Sequence, residues 1–120
     1  MKAYGLTLCL QDDPAKIAEY TAQHRAVWPG VLARLRRVGV HEMRIFLRGT
    51  RLFMYIETDD AFDPRRDFAR IDEDPVSAQW NALMAHLQQR APEADPDEWW
   101  APMELVCWPR GPSGHRPRRR

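Results

Sequence analysis

Long apolar runs, glycine-rich loops and hydrolase motifs are missing from this chain of 120 residues. No apolar run approaches the ~18 residues that a membrane-spanning helix needs, and the first ten residues lack a signal-peptide pattern. Neither a glycine-rich phosphate loop nor a GxSxG motif is present. We therefore expect no membrane partner. We also expect neither phosphate binding by a glycine-rich loop nor catalysis by a GxSxG serine.

Cysteine and histidine are scarce, and their spacing predicts no metal site. Cys9 and Cys107 are the two cysteines, and they form no CxxC motif. Both lie in apolar runs near the chain ends, so we expect them to be small core residues of two strands in a cytoplasmic protein. The four histidines show no HxH or HxxxH spacing.

Charge of one sign is concentrated only at the end of the chain. Five of the 18 basic residues and no acidic residue lie in 110–120, so 1–109 carries 13 basic and 17 acidic residues. A body with this balance is a poor partner for nucleic acid. The tail is rich in Pro, Gly and Arg, which predicts a single domain over 1–109 and a disordered, solvated appendage over 110–120.

The hydrophobic pattern predicts an α+β domain with the element order βαββαβ. Hydrophobic residues make up 44% of the chain, enough for a core. Right-handed crossovers fold this order into a ferredoxin-like, four-stranded antiparallel sheet with helices on one face. The predicted strands are Lys2–Leu10, Val40–Leu47, Leu52–Thr58 and Pro102–Trp108, and the predicted helices run from Pro14 with a break at Trp28-Pro29, over Pro64–Ile71, and over Val76–Gln89.

The second face of this predicted sheet is too apolar to remain in water. We assign to it Tyr4, Phe46, Phe53, Tyr55 and Trp108. A bare apolar face is typical of an interface. The sequence therefore predicts a homodimer, in the manner of a dimeric α+β barrel.

One helix face carries the residues best suited to proton chemistry. Tyr20 and His24 are four residues apart and therefore neighbours on the helix, and Trp28 follows one turn later. Histidine exchanges protons near neutral pH, and a neighbouring phenol can orient a hydroxyl-bearing substrate. The alternative is that His24 is an ordinary half-buried helix residue.

The later helix contains a second candidate group at Trp80 and Asn81. The face of an indole can stack on the C–H side of a sugar ring, while an amide bonds its hydroxyls. Core packing is the alternative for Trp80, and Trp99 and Trp100 could simply fasten the loop before the last strand.

Four motifs follow one another along the chain: Tyr20-x3-His24-x3-Trp28-Pro29, Gly39-Val40-His41, Val76-x3-Trp80 and Met103-Glu104. In this order and at these intervals they resemble the L-rhamnose mutarotase family over roughly 1–109. The branch associated with L-fucose is similar in further stretches, namely Asp12-Asp13-Pro14, Ile17-Ala18-Glu19-Tyr20, Val27-Trp28-Pro29, Arg51-Leu52-Phe53-Met54, Leu83-Met84 and Trp100-Ala101-Pro102-Met103.

The resemblance implies a dimeric ferredoxin-like enzyme that interconverts the α and β anomers of a 6-deoxy-hexose without a metal or organic cofactor. The family's catalytic histidine falls on His24, its substrate-contacting tyrosine on Tyr20, and the first residue of its stacking tryptophan pair on Trp80. Asn81 stands at the second position of that pair, and Met43 stands where some members have a tyrosine. These departures leave open whether the sugar is L-fucose or L-rhamnose.

Two other functions remain open from the residues alone. A cofactor-free monooxygenase shares the dimeric α+β shape, because fold by itself does not decide function. A sugar-binding module without catalysis is the second. For the mutarotase, His24 is expected to be the acid, and the base is a water, Tyr20 or a carboxylate.

Overall fold

The computed structural model describes residues 1–111, so most of the predicted basic tail over 110–120 lies outside the described residues. No helix in the described part of the chain is long and apolar enough to cross a membrane. The elements are β1 (Lys2–Leu10), α1 (Pro14–His24), α2 (Pro29–Arg37), β2 (Val40–Arg48), β3 (Arg51–Thr58), α3 (Pro64–Ile71), α4 (Pro75–Ala85), β4 (Gln88–Gln89) and β5 (Ala101–Pro102).

All four helices begin with a proline, which suits the first helical position because no N–H is needed there. Three of them are also capped by the preceding aspartate. The side chains of Asp13, Asp63 and Asp74 accept from backbone N–H groups within the first turn of α1, α3 and α4 at 2.9–3.1 Å. These local signals make the helix starts predictable, and the predicted start at Pro14 is confirmed.

The predicted break between α1 and α2 is confirmed at Trp28, which has extended backbone (φ −58°, ψ 133°) as expected before a proline. After α2 the chain reverses at Gly39, whose φ is +105°. A Cβ at Gly39 would lie 2.8 Å from a carboxylate oxygen of Asp59. Glycine is therefore required there both by conformation and by space.

The sheet has the antiparallel order β2-β3-β1-β4, with β5 pairing to β1 beside β4. One face is covered by the helices and forms the core. Four side chains at the centre of that face are fully buried, namely Leu6, Leu8, Leu52 and Ile56. The predicted α+β class, with an antiparallel sheet and helices packed on it, is confirmed.

The other face carries Phe46 and Phe53, whose rings stack 6.0 Å apart and are 55% and 38% exposed. Tyr4 was predicted to lie with them, and this was wrong. It shares its direction with Leu6, since side chains two apart point the same way. Its hydroxyl donates to the Phe62 carbonyl at 3.0 Å on the helix side.

Two predicted elements near the end of the chain differ from the structure. The last helix ends at Ala85 rather than Gln89, because the chain turns and Gln88–Gln89 pair with the end of β1. The last strand stops at Pro102 rather than Trp108. Met103 N–H still donates to the Gly5 carbonyl at 2.8 Å, after which 104–108 runs without a strand partner among residues 1–111.

A buried carboxylate organises α3. Asp67 is 1% exposed, and it accepts from the Asp63 N–H (2.8 Å), from Arg66 (2.8 and 3.0 Å) and from Arg70 (3.2 Å). The Arg66 guanidinium, with help from the Asp63 N–H, holds the pKa of Asp67 well below its ordinary range, against the effect of burial. The helix start therefore depends on a charged Asp67.

We predict that Asp67→Asn lowers the free energy of unfolding at pH 7 by about 1.5–3 kcal/mol, the value of hydrogen bonds to a charged group. Because its folded pKa is depressed, the Asp67 contribution is fully present above the unfolded value of about 3.9. It is lost as the pH falls from there through the folded pKa. Denaturant unfolding of both proteins at several pH values measures this.

Asp60→Asn is the matched control, since Asp60 is an exposed aspartate paired with the terminal amine. Its effect should be smaller than that of Asp67→Asn. Equal losses from the two substitutions would contradict the structural role given to Asp67.

Candidate active site

A cavity of about 660 Å³ lies between the helices and the inner face of the sheet. Its size is that of a small-molecule site. Side chains of α1, β2, α3, α4 and β4 and of the loop before β5 share its wall, and most of them are aromatic or polar. Among them are Tyr20, His24, Met43, Arg65, Asp72, Trp80, Asn81, Gln88, Glu98, Trp99 and Trp100.

His24 is held by its own helix at the C-terminal end of α1. Its Nδ1 lies 2.8 Å from the carbonyl oxygen of Tyr20. Since a carbonyl only accepts, Nδ1 carries a proton, and Nε2 is the nitrogen left for other chemistry. Burial lowers the pKa of His24 below its ordinary 6.5, and the bond to the Tyr20 carbonyl partly opposes this. Neutral His24 therefore presents a basic Nε2.

Tyr20 lies against this imidazole. The two rings stack with centroids 4.1 Å apart and planes at 29°. Tyr20 is 4% exposed, and its hydroxyl has no hydrogen-bond partner in the described part of the chain. Burial raises the pKa of Tyr20 to about 12, while the Gln88 side chain acts in the opposite direction. A buried hydroxyl without a hydrogen-bond partner lowers the stability of the fold unless a ligand supplies that hydrogen bond.

Trp80 forms the floor behind His24 rather than an open stacking platform. It is 5% exposed, and its ring meets the His24 imidazole edge-on at 5.3 Å. Trp28 packs edge-on against Trp80 at 5.2 Å and is not among the residues that line the cavity. The predicted site residue Trp28 therefore supports Trp80 from behind, because the break before α2 turns its ring into the core.

Met43 and Asn81 reach the cavity from two different elements. Met43 lies on the helix side of β2, where it supplies apolar wall. Asn81 is exposed on α4, and its Nδ2 donates to Asp72 Oδ1 at 2.5 Å. Asp72, the residue that follows the last residue of α3, thus joins the site.

The loop between β4 and β5 supplies a wall of the cavity that sequence reasoning missed. Trp99 donates from Nε1 to the Gln88 side chain at 2.9 Å. Glu98, with its side chain 9% exposed, pairs with Arg65 of α3 at 2.6 Å. The tandem tryptophans in a polar loop were the only sequence signal for this wall. Gln88 carried no such signal, because the sequence pattern places it in the last predicted helix and not in a strand.

The arrangement combines a basic imidazole nitrogen, a neutral phenol and aromatic walls, which suits proton exchange on a small polar molecule. Within residues 1–111 no three His, Cys, Asp or Glu side chains lie together as a metal site would require. The fold and the cavity together define a small α+β protein with an internal cavity between its helices and its sheet.

Comparison with known proteins identifies the family. A family model described as L-rhamnose mutarotase matches residues 3–107. An L-fucose mutarotase from Xanthomonas campestris is 41% identical over 102 residues, which cover 83% of this chain and 82% of that protein. A UPF0734 protein from Dictyostelium discoideum is 42% identical over 109 residues, covering 88% and 87% of the two chains. The chain belongs to the L-rhamnose mutarotase family.

Solved structures agree on the fold. The L-rhamnose mutarotase FA22100 from Formosa agariphila superposes with a TM-score of 0.66 at 21% identity, over 90% of this chain and 98% of that one. Tetracenomycin F2 cyclase from Streptomyces glaucescens gives 0.62 at 17% identity, over 90% and 96%. The similarity to a polyketide cyclase shows that this fold also carries other chemistry.

We predict that Trp80→Ala destabilises the protein by about 3–5 kcal/mol, because a buried indole that supports both His24 and Trp28 is removed. Trp80→Phe should lose less, since it keeps a ring against the imidazole. Thermal or denaturant unfolding measures both. A Trp80→Ala variant with unchanged stability would show that the indole is not part of the core.

Proposed function

We propose that the protein is an aldose 1-epimerase that interconverts the α and β anomers of a 6-deoxy-L-hexose. Membership of the family supports this, and so does the greater identity to an L-fucose mutarotase (41%) than to L-rhamnose mutarotases of the same family (28–32%), which favours L-fucose. The observation that carries the proposal is the buried Tyr20 ring stacked on the neutral imidazole of His24, with a hydroxyl that has no hydrogen-bond partner within residues 1–111.

The reaction needs one proton acceptor and one proton donor. During ring opening the acceptor takes the proton of the anomeric O1 hydroxyl, the C1–O1 bond becomes a carbonyl, and the C1–O5 bond breaks. The donor gives a proton to O5. The aldehyde then rotates about C1–C2, O5 attacks the other face of C1, and both protons return to where they came from. A positioned acid or base typically contributes ~10²–10⁴-fold.

His24 is proposed to begin as the acceptor. The sequence led us to expect it as the acid, but burial favours the neutral ring, and the Nδ1 bond leaves Nε2 free to accept. Ring closure then uses the same His24, now protonated, to return the proton to O1. One residue is therefore base during opening and acid during closure.

Tyr20 is proposed to be the matching donor. Its raised pKa keeps the phenol protonated at neutral pH, and the structure supplies no acceptor for that proton within residues 1–111. As the C1–O5 bond breaks, negative charge develops on O5, and a preorganised donor stabilises it more than it stabilises the intact sugar. The proton thus moves only when the ring opens.

The side chains around this pair suit a deoxy sugar. Trp99, Trp100 and Met43 provide apolar wall for C–H groups and a methyl group, while the Asn81–Asp72 pair offers hydrogen bonds to hydroxyls. In this proposal the Asn81–Asp72 pair takes the place of a second aromatic wall and shapes the choice of sugar.

Saturation-transfer NMR on L-fucose and on L-rhamnose, with catalytic amounts of protein, tests the proposal directly. We predict that His24→Asn lowers anomer exchange by ~10² or more while the protein stays folded. His86→Asn is the matched control, because His86 is an exposed histidine that does not line the cavity.

Three results would count against this function. Wild-type protein that binds the sugar without exchange would instead be a sugar-binding module. Wild-type protein that consumes oxygen with a polycyclic phenol would be a monooxygenase. Exchange at the wild-type rate in folded His24→Asn would remove His24 from the mechanism.

The pH dependence of exchange follows from the lowered pKa of His24. We predict full activity at neutral pH and a loss as the pH falls, because protonation of Nε2 removes the acceptor. The midpoint should lie below the ordinary value of about 6.5. Exchange rates measured in a pH series check this, and an acid limb centred above that value would contradict it.

We also propose that the protein is a homodimer built on the bare sheet face, as the sequence predicted. Phe46 and Phe53 supply its apolar centre, and Met103, Leu105 and Val106 are exposed in the segment that leaves the sheet beside it. Apolar surface of this extent is typical of an interface.

A cytoplasmic location fits the two free cysteines, Cys9 and Cys107.

A pair of adjacent residues tests the interface. Phe46 and Leu47 are both exposed on β2 but point to opposite faces of the sheet. We predict that Phe46→Glu gives a monomer in sedimentation at micromolar concentration, whereas Leu47→Glu leaves the dimer intact. A wild-type monomer, or equal effects of the two substitutions, would contradict the proposed interface.

A further inference from the structure

One buried amide near the catalytic pair has an orientation that the structure determines. Gln88 lies in β4, is 6% exposed, and accepts from Trp99 Nε1 at 2.9 Å through Oε1. An indole N–H can only donate. The oxygen of the Gln88 amide must therefore face Trp99, and the Nε2 amino group is turned away from it.

The Gln88 side chain lines the same cavity as Tyr20 and lies close enough to act on its hydroxyl. Both residues line the cavity, and Gln88 is the side chain that opposes the burial effect on the Tyr20 pKa, as a nearby N–H donor would. The two groups nevertheless form no hydrogen bond that satisfies the hydroxyl. The neighbouring amide therefore offers Tyr20 a donor and no acceptor.

We propose that Gln88, oriented by Trp99, is a positioning residue that keeps the Tyr20 hydroxyl available as a proton donor to the ring oxygen of the sugar. This inference rests on the proposed function. It adds two residues, one on a short strand and one on a loop, that neither the family resemblance nor the motif pattern pointed to.

The number of protons that each group carries decides which group can donate. A phenol has one proton to give, and an amide oxygen beside it would take that proton into a hydrogen bond. The Nε2 group has only protons to offer, so any hydrogen bond that it makes with the phenol oxygen uses an N–H and leaves the O–H free. Opposite it, Nε2 of His24 has only a lone pair. The site thus presents one acceptor and one donor, as ring opening requires.

Gln88→Glu reverses the polarity while keeping the shape. A carboxylate still accepts from Trp99 with one oxygen, but its other oxygen accepts the Tyr20 proton. We expect the maximal exchange rate to fall at least tenfold, with a much smaller change in the sugar concentration that gives half the maximal rate. Gln89→Glu is the matched control, because Gln89 is the neighbouring, exposed residue of the same strand.

A spectroscopic readout separates positioning from mere packing. The ¹³Cζ resonance of Tyr20, identified by its loss in Tyr20→Phe, moves downfield when the hydroxyl gives its proton to an acceptor. We expect this movement in Gln88→Glu and not in Gln89→Glu. A lower exchange rate without any movement of the resonance would overturn the positioning role.

Trp99→Phe tests the same idea without a buried charge and therefore also covers the case in which Gln88→Glu does not fold. It keeps an aromatic ring on the loop, although a smaller one, and removes the N–H that orients the amide, so the Tyr20 resonance is the readout that separates the two changes. We expect a several-fold lower maximal rate and a shifted Tyr20 ¹³Cζ resonance. If both stay at wild-type values, the inference is wrong, whereas an inert wild-type protein would refute the proposed function itself.

Discussion

The antiparallel pairing of β1 with β3 is the constraint on which the rest of this structure depends. It places Leu6, Leu8, Leu52 and Ile56 in one fully buried layer. The helices have to cover this layer, since leaving it in water would cost roughly 25 cal/mol for each Å² of apolar surface. The cavity is the space that remains where the helices, the sheet and the loop after β4 meet, next to this buried layer.

Within that site, the chemistry depends on which polar groups of His24 and Tyr20 already have a hydrogen-bond partner and which do not. His24 donates from Nδ1 to the Tyr20 carbonyl, so the neutral ring carries its proton on Nδ1. Tyr20 has no partner for its hydroxyl within residues 1–111. The low exposure of both shifts their pKa values in the direction that keeps them neutral, which is the state in which one accepts and the other donates. Burial therefore selects the protonation states that the proposed reaction starts from.

Much of the fold was predictable because its signals are local. Proline and aspartate mark the helix starts, alternation marks β1 and β3, and Trp28-Pro29 marks the break between α1 and α2. The errors arose where distant parts of the chain decide. The sequence pattern extends the last helix over Gln88, but in the structure Gln88 pairs with Leu10 as a strand. Tyr4 faces inward because it alternates in step with Leu6, and its hydroxyl then donates to the Phe62 carbonyl on the helix side. The last strand ends early because, in the described part of the chain, residues past Met103 have no strand to pair with.

The sequence by itself determined that Tyr20 and His24 share a helix face, because the 3.6-residue period brings residues four apart together. It also determined the family, because four motifs follow one another along the chain in the order and at the intervals of that family. Only the tertiary structure decided that Trp28 stands behind Trp80, and that Gln88, Glu98 and Trp99 meet Tyr20 across one cavity. Hydrogen-bond polarity and burial depend on neighbours that are remote in sequence, and no local spacing contains that information.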